Sequence, residues 1–422
     1  MNILEQLFDK STLVEEWLKA EEAKCAYPLY TSVDIRQADY KICGVDTNLF
    51  PAGFNNLCGK SIYAGVSVMK KHVQEQFGDV ENIILIAEAH TRNTFYHQSL
   101  LKLIEIFKLS GYKVRPAILG LTGEYPFEID APDGKLEVPL ISIQGGDVFV
   151  GDFKADLVVL NNDLSAEFPQ LLKDVTVPIT PPVGLGWHAR KKSQHFAVYD
   201  TIVERFSKDT GIDPWVVSTI NEVATGVNFK EELGLDDIAQ KTDAVLDKIR
   251  EKYREYDIKR EPLVFIKNNS GTYGMGITTL KSGEDIFSIN RKVRNKMTTG
   301  KSSVNIHEVF IQEGVPSDCK ILGDTCEPVI YFMANQVIGG FFRAHKDKSA
   351  TENLNAKGMS FANFCLSMQP TVTALNSPHH CYEETSIFTA IKASARLACL
   401  AAAQEVTEAK NGNGEECRGT KA

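Results

Sequence analysis

The 422-residue chain predicts an α/β fold, with a parallel N-terminal layer and an α+β C-terminal lobe. Three observations carry this. Between residues 82 and 119, apolar β-branched runs alternate with a helical stretch, the pattern of a parallel layer. Near the middle, Leu263-Val264-Phe265-Ile266-Lys267 reads as a buried strand that ends on a lysine. Further on, residues 326–333 and 336–343 read as two antiparallel strands turning around Asn335. A hydrophobic content of 43% with 24% charged residues suits a globular protein of two or three domains.

Taken in order, residues 1–25 look amphipathic and helical, with Thr12 and Glu15 at capping-box spacing ahead of Trp17 and Leu18. Strand-like runs at 29–33 and 40–45 come next. The second feeds a long polar loop, 46–57, that carries Asp46, Asn48, Asn55 and Asn56 and two aromatics, a candidate substrate-binding loop. Gly59-Lys60-Ser61 then opens a helix and imitates the end of a P-loop. Its first glycine is displaced by one position, to Gly53, and the phosphate cradle depends on that spacing.

A helix over 61–77 leads to a buried strand at 82–87, and a helix over 94–109 leads to a strand near 114–119. In such layers ligands bind beyond the carboxyl ends of the strands. Glu88, His90 and Arg92 fall at one such end and are candidate substrate contacts, against the plainer reading of a solvated turn. Residues 123–150 read as hairpins, 155–160 as another buried strand, and 178–182 as a rigid proline-bounded connector. Trp187, His188 and Arg190, then Lys191, Lys192 and His195, form a run suited to an anionic substrate or to a basic helix start.

Residues 196–255 read as helical, and 285–300 as a polar helix. These boundaries predict an N-terminal substrate domain over 1–200, a helical linker region over 201–260, nucleotide- and metal-binding lobes over 261–408, and a disordered tail over 409–422.

Charge and cysteine usage narrow the function. A formal net charge of -9 argues against bulk attraction to nucleic acid or an anionic membrane. No apolar run has the length of a membrane span, and the N-terminus lacks the pattern of a secretory signal. Nine scattered cysteines without metal-ligand spacing predict free thiols, a cytoplasmic location and no structural zinc. Oligomeric state is not legible.

The centre of interest is Lys267 and the loop behind it, Ser270-Gly271-Thr272-Tyr273-Gly274-Met275-Gly276. Glycines let backbone N–H groups approach an anion, and a strand-terminal lysine adds a point charge. The loop is neither a dinucleotide fingerprint nor a Walker A motif. Three further motifs succeed it along the chain: a strand ending Gln312-Glu313-Gly314-Val315, a strand pair ending on Arg343, and Glu352-Asn353-Leu354-Asn355.

That ordered set resembles the ATP-grasp superfamily. The resemblance implies that Lys267 contacts ATP phosphates and that residues 270–276 close on them. It implies that Gln312, Glu313 and Val315 lie at the adenine hinge and that Arg343 neutralises the transferring phosphate. Glu352 or Asn353, with Asn355, would hold Mg²⁺, an ion that favours oxygen ligands. For the further acidic metal ligand usual in that superfamily, Glu327 and Asp347 both remain open.

Residues 45–56, 88–93, Gly186-Trp187-His188 and 271–276 together resemble an uncommon glutamate–cysteine ligase family of some proteobacteria, over about residues 25–405. This implies that ATP activates the γ-carboxylate of glutamate as an acyl phosphate and that cysteine displaces the phosphate. Alternatives are an ATP-grasp ligase with another substrate pair and a catalytically silent nucleotide-binding protein.

Overall fold

The computed structural model describes residues 4–165, 168–271, 277–290, 293–294, 297, 307–365, 380–381 and 386–416. Among these, three sheets position the site. A seven-stranded sheet contains Tyr30–Gln37, Ile42–Asn48, Asp324–Met333, Gln336–His345 and Ser360–Cys365. A four-stranded sheet contains Asn82–Ile86, Lys113–Ala117, Leu157–Leu160 and Ile179–Thr180. A second four-stranded sheet contains Asn221–Thr225, Val264–Asn268, Thr278–Leu280 and Glu308–Glu313.

The first four-stranded sheet is parallel throughout, as the β–loop–α–β alternation predicts. Its two inner strands, Asn82–Ile86 and Leu157–Leu160, are nearly continuous apolar runs, as expected of strands covered on both faces. Ile83, Ile84, Leu85 and Ile86 are all buried. The helix Thr94–Leu109 supplies part of that cover and is capped by Asn93, whose side chain accepts from the Tyr96 N–H.

The sheet that carries Lys267 is antiparallel. Its edge strand, Asn221–Thr225, interrupts the stretch 196–255, which the sequence predicts as helical throughout. The helices there are Lys192–Thr210 and Leu235–Glu255. The strand escapes a periodicity argument because it is short and polar, and only its pairing with Glu308–Glu313 fixes it.

The central sheet does not sort its strands by chain position. Tyr30–Gln37 pairs antiparallel with Asp324–Met333, and Asp34 faces Val329. The hairpin of Asp324–Met333 and Gln336–His345 sets Glu327 directly opposite Arg343. Residues of the expected substrate domain therefore build the same sheet as residues of the expected nucleotide lobe.

The long helix Ser386–Glu416 packs on this sheet and on Lys192–Thr210. It continues past residue 409, where the sequence predicts a disordered tail. Helix propagation adds one hydrogen bond per residue once a helix exists, and that outlasts the poor propensity of Asn and Gly over a short stretch. The expectation of free thiols also needs amendment, since Cys58 is disulfide-bonded. Cys25, Cys43, Cys319, Cys326 and Cys399 are free.

Glu405 on this helix receives Arg190 Nε at 3.0 Å and Nη2 at 2.8 Å, and lies 2.7 Å from His195 Nδ1. Burial raises the Glu405 pKa, but the Arg190 and His195 charges outweigh it and hold it near about 2. Breaking a buried pair from one side strands the other charge, at a cost of ~3–5 kcal/mol. Glu405→Ala is expected to lower the unfolding free energy by ~3–5 kcal/mol in denaturant titrations near neutral pH. Because the folded pKa is depressed, this stabilisation is present above the unfolded carboxylate value of ~4.3 and fades as pH falls toward about 2. The variant is expected to lose less stability over that acid range than the parent.

Candidate active site

The carboxyl ends of the parallel strands, the face of the central sheet and the strand Val264–Asn268 enclose a cavity of about 810 Å³. Alternation along Tyr30–Gln37 sends Ser32, Asp34 and Arg36 to one face, and all three line this cavity. Of the residues selected from the sequence, Asp46, Asn48, Asn55, Asn56, Trp187, Lys267, Glu327, Arg343, Asn353 and Asn355 also line it.

One end is strongly charged. Arg343 Nη1 donates to Asp34 Oδ2 at 2.8 Å and to Glu327 Oε1 at 2.6 Å. Arg36 Nε reaches Glu327 Oε2 at 2.8 Å, while its Nη1 and Nη2 donate to the carbonyls of Ala350 and Glu352. Burial and the neighbouring Glu327 charge push the Asp34 carboxyl up, against the pull of Arg343. Burial acts the same way on Glu327, but Arg36 and Arg343 outweigh it and bring its pKa down.

Lys267, from the strand Val264–Asn268, lines the same cavity. Its ammonium donates to Gln312 Oε1 at 2.6 Å and to the Val45 carbonyl at 3.1 Å, which ties the Lys267 sheet to the central sheet. Burial lowers its pKa to about 8, with Lys192 and Arg36 adding to the shift and Asp46 opposing it. Gln312 is itself oriented by donating to Thr219 Oγ1 at 2.9 Å. Asp46 accepts from Lys192 at 2.6 Å, and Lys192 lies 4.7 Å from the Trp187 ring centre. Burial raises the Asp46 pKa, yet Lys192 and Lys267 bring it down to about 2.

Several residues selected from sequence have other positions. Glu313 is buried, accepts from Lys41 at 2.7 Å and from the Trp215 indole at 3.1 Å, and does not line the cavity. Its carboxylate answers a buried lysine rather than facing a base. Val315 is buried in the core. Glu88 accepts from the Asp163 N–H at 3.0 Å, His90 Nε2 lies 3.9 Å from Glu88, Arg92 is exposed, and none of the three lines the cavity.

Arg190 is bonded to Glu405, and His188 Nδ1 lies 3.2 Å from the Leu164 carbonyl. In the run 187–195 only Trp187 lines the cavity, while Lys191 pairs with Glu308 and Lys192 with Asp46. Asp347 is exposed. Glu352 turns back on Lys348 and the Ser349 N–H, which hold its pKa at about 2. Neither lines the cavity, whereas Glu327 does.

Ser270 and Gly271 do not line it, and Thr272, Tyr273, Gly274, Met275 and Gly276 lie outside the described residues. Lys60 is exposed on the helix Gly59–Phe77, away from the cavity. Sequence reasoning missed Asp34 and Arg36, although their i, i+2 spacing in a strand was a usable signal. It also missed Asn93, Tyr96 and Asp163, which line the cavity as well. Among the described residues no group of three or more His, Cys, Asp or Glu could hold a metal. No helix among them is long and apolar enough to cross a membrane.

A mixed α/β fold thus encloses a cavity lined by cations, carboxylates and amides. Residues 5–406 match the family described as glutamate–cysteine ligase, GshA, and the chain belongs to it. It is therefore an ATP-dependent ligase. The crystal structure of a Methylobacillus flagellatus KT protein assigned as a γ-glutamylcysteine synthetase is 37% identical, covers 96% of this chain and 95% of that one, and superposes with a TM-score of 0.83. A glutathione synthetase-like effector from Globodera pallida, 13% identical over 81% of this chain and 78% of its own, reaches a TM-score of only 0.35. D-alanyl-alanine synthetase A from Vibrio cholerae O1 biovar eltor, 9% identical over 61% and 69%, reaches 0.29. At those scores neither likeness carries an argument. No curated protein matches the chain.

Proposed function

We propose that this cavity activates the γ-carboxylate of glutamate with ATP and couples it to the amine of cysteine, giving γ-glutamylcysteine, ADP and phosphate. Family membership and the M. flagellatus likeness support the overall reaction. The observation that supports the site is that buried Lys267 and partly buried Arg343 line one cavity.

In the first step a glutamate carboxylate oxygen bonds to the γ-phosphorus as the bond to ADP breaks. In the second, the cysteine nitrogen bonds to the acyl carbon, phosphate leaves and the nitrogen gives up a proton. Phosphoryl transfer needs alignment and charge neutralisation more than covalent participation by the protein. Lys267 and Arg343 supply that neutralisation from fixed positions. Gln312 and the Val45 carbonyl hold the ammonium in place. Asp34 and Glu327 hold the Arg343 guanidinium.

The arrangement fits an ATP-grasp-like division of labour, with the nucleotide between the Lys267 sheet and the central sheet. Mg²⁺ fits the chemistry of the donors present. Asp34, Glu327, Asn353 and Asn355 are oxygen donors lining one cavity. Two carboxylates with amide oxygens suit an ion that takes its remaining ligands from phosphate and water. These residues would hold it, and it would supply further neutralisation of phosphate charge. Glutamate, cysteine and ATP are the expected small-molecule partners. A formal net charge of -9 argues against bulk attraction to nucleic acid or an anionic membrane.

Incubation with glutamate, cysteine, ATP and Mg²⁺ is expected to yield γ-glutamylcysteine and ADP by mass spectrometry. ADP formation that requires a different amino-acid pair would reassign the substrates. Lys267→Ala is expected to abolish nearly all turnover without unfolding the chain, and Arg343→Ala to lower kcat by ~10²–10³. Parental turnover in either variant would reject its role.

A lysine with a pKa near about 8 loses its charge as pH rises, and the neutral form holds a phosphate less well. ATP affinity of the ligand-free enzyme is expected to fall between about pH 7 and about pH 9 in calorimetric titrations. Lys267→Arg is expected to flatten that dependence, because a guanidinium stays charged. An equal pH slope in both proteins would contradict the assignment.

A further inference from the structure

A short hairpin beside the site brings two free cysteines together. Lys320–Ile321 pairs antiparallel with Thr325 and Asp324 across a turn at Leu322 and Gly323. One position further out Cys319 meets Cys326, whose N–H donates to the Cys319 carbonyl at 3.0 Å. Opposed residues of this kind have Cα atoms ~5.5 Å apart, inside the ~4.4–6.8 Å a disulfide spans. The sulfurs are already 3.1 Å apart, with Cys326 Sγ donating to Cys319 Sγ. Closing to a bond of ~2.05 Å requires a movement of only about 1 Å.

The two thiols differ in the way an exchange reaction needs. Cys319 is half-buried between exposed Asp318 and Lys320, within reach of a small molecule. Cys326 is buried. Access selects Cys319 as the attacking sulfur.

The pair is also wired to the cavity. Cys326 immediately precedes Glu327, which holds Arg36 and Arg343. Ser317 Oγ donates to the Cys326 carbonyl, and the Ser317 N–H donates to the Ala350 carbonyl, which Arg36 also contacts. Movement of the hairpin therefore reaches both Glu327 and the segment leading to Asn353 and Asn355.

We propose that Cys319 and Cys326 form a redox-active dithiol, a modification site for low-molecular-weight disulfides whose oxidation is transmitted to Glu327. The Cys319 thiolate bonds to one sulfur of the small disulfide, and the other sulfur leaves as a thiolate that takes up a proton. Cys326, as it gives up its proton, then bonds to the Cys319 sulfur and expels the second small thiol. One protein dithiol is oxidised and one small disulfide is reduced to two thiols. The chemical step stands apart from the function proposed above, whereas its effect on turnover rests on that reading.

The test exposes the full chain to oxidised glutathione, blocks remaining thiols by alkylation, and maps peptides by mass spectrometry beside steady-state kinetics. The parent is expected to yield a Cys319–Cys326 peptide lighter by about 2 Da than its dithiol form. Cys326→Ser is expected to stop at a stable glutathione adduct on Cys319. Oxidation is expected to lower kcat/KM several-fold, reversibly with dithiothreitol, and the C319S/C326S double variant to keep its activity through the same treatment. Recovery of Cys319 and Cys326 in alkylated form while half-buried Cys25 carries glutathione would overturn the dithiol. Complete oxidation with unchanged kcat and KM would overturn the link to Glu327. Absence of γ-glutamylcysteine synthesis by the reduced parent would reject the proposed function and leave the peptide result to decide the chemistry.

Discussion

Asp34, Arg343, Glu327 and Arg36 form a chain of alternating charge across the central sheet, and much of the architecture depends on keeping it paired. Arg36 and Glu327 are almost wholly buried, with 5% and 3% exposure. A buried charge left alone costs several kcal/mol, so each member constrains its neighbours' positions. Glu327 and Arg343 are held as directly opposed residues of one hairpin. Asp34 and Arg36 come from a strand near the N-terminus, and that strand must pair with Asp324–Met333 for the charges to meet. The pairing unites the two ends of the chain in one sheet.

This unity explains why the site cannot be divided between a substrate domain and a nucleotide lobe. Lys267 belongs to another sheet, but its ammonium is anchored to the carbonyl of Val45 in the central one. The Arg190–Glu405 pair attaches the segment after Trp187 to the C-terminal helix, and Arg190 also donates to the Thr47 carbonyl between Asp46 and Asn48. Charges around the cavity thus serve two purposes. Some face the space where substrates sit, and others fix the backbone that presents them.

The parts legible in the sequence are those decided by local pattern. Apolar runs revealed the parallel strands, the Lys267 strand and the Glu327–Arg343 hairpin, because burial on both faces leaves a continuous signal. Of the ordered motifs from Lys267 to Asn355, Lys267, Arg343, Asn353 and Asn355 line one cavity, while Gln312, Glu313, Val315 and Glu352 do not. What stayed hidden depends on distant partners. Asp34 lies 309 positions from Arg343, and Arg190 lies 215 from Glu405. A cation in a basic run looks ready for a ligand until its carboxylate is known. Glu313 misleads for the same reason, since its partner Lys41 is 272 positions away. The strand Asn221–Thr225 is short and polar, and only the neighbouring strand reveals it.

The proposed chemistry requires the phosphates of ATP to lie between Lys267 and Arg343. A crystal structure with a non-hydrolysable ATP analogue and Mg²⁺ measures this directly. The expected result places the terminal phosphate within hydrogen-bond reach of Lys267 Nζ, with the Arg343 guanidinium on its other side. A nucleotide seated elsewhere, such as against Lys60 at the start of the helix Gly59–Phe77, would contradict that arrangement.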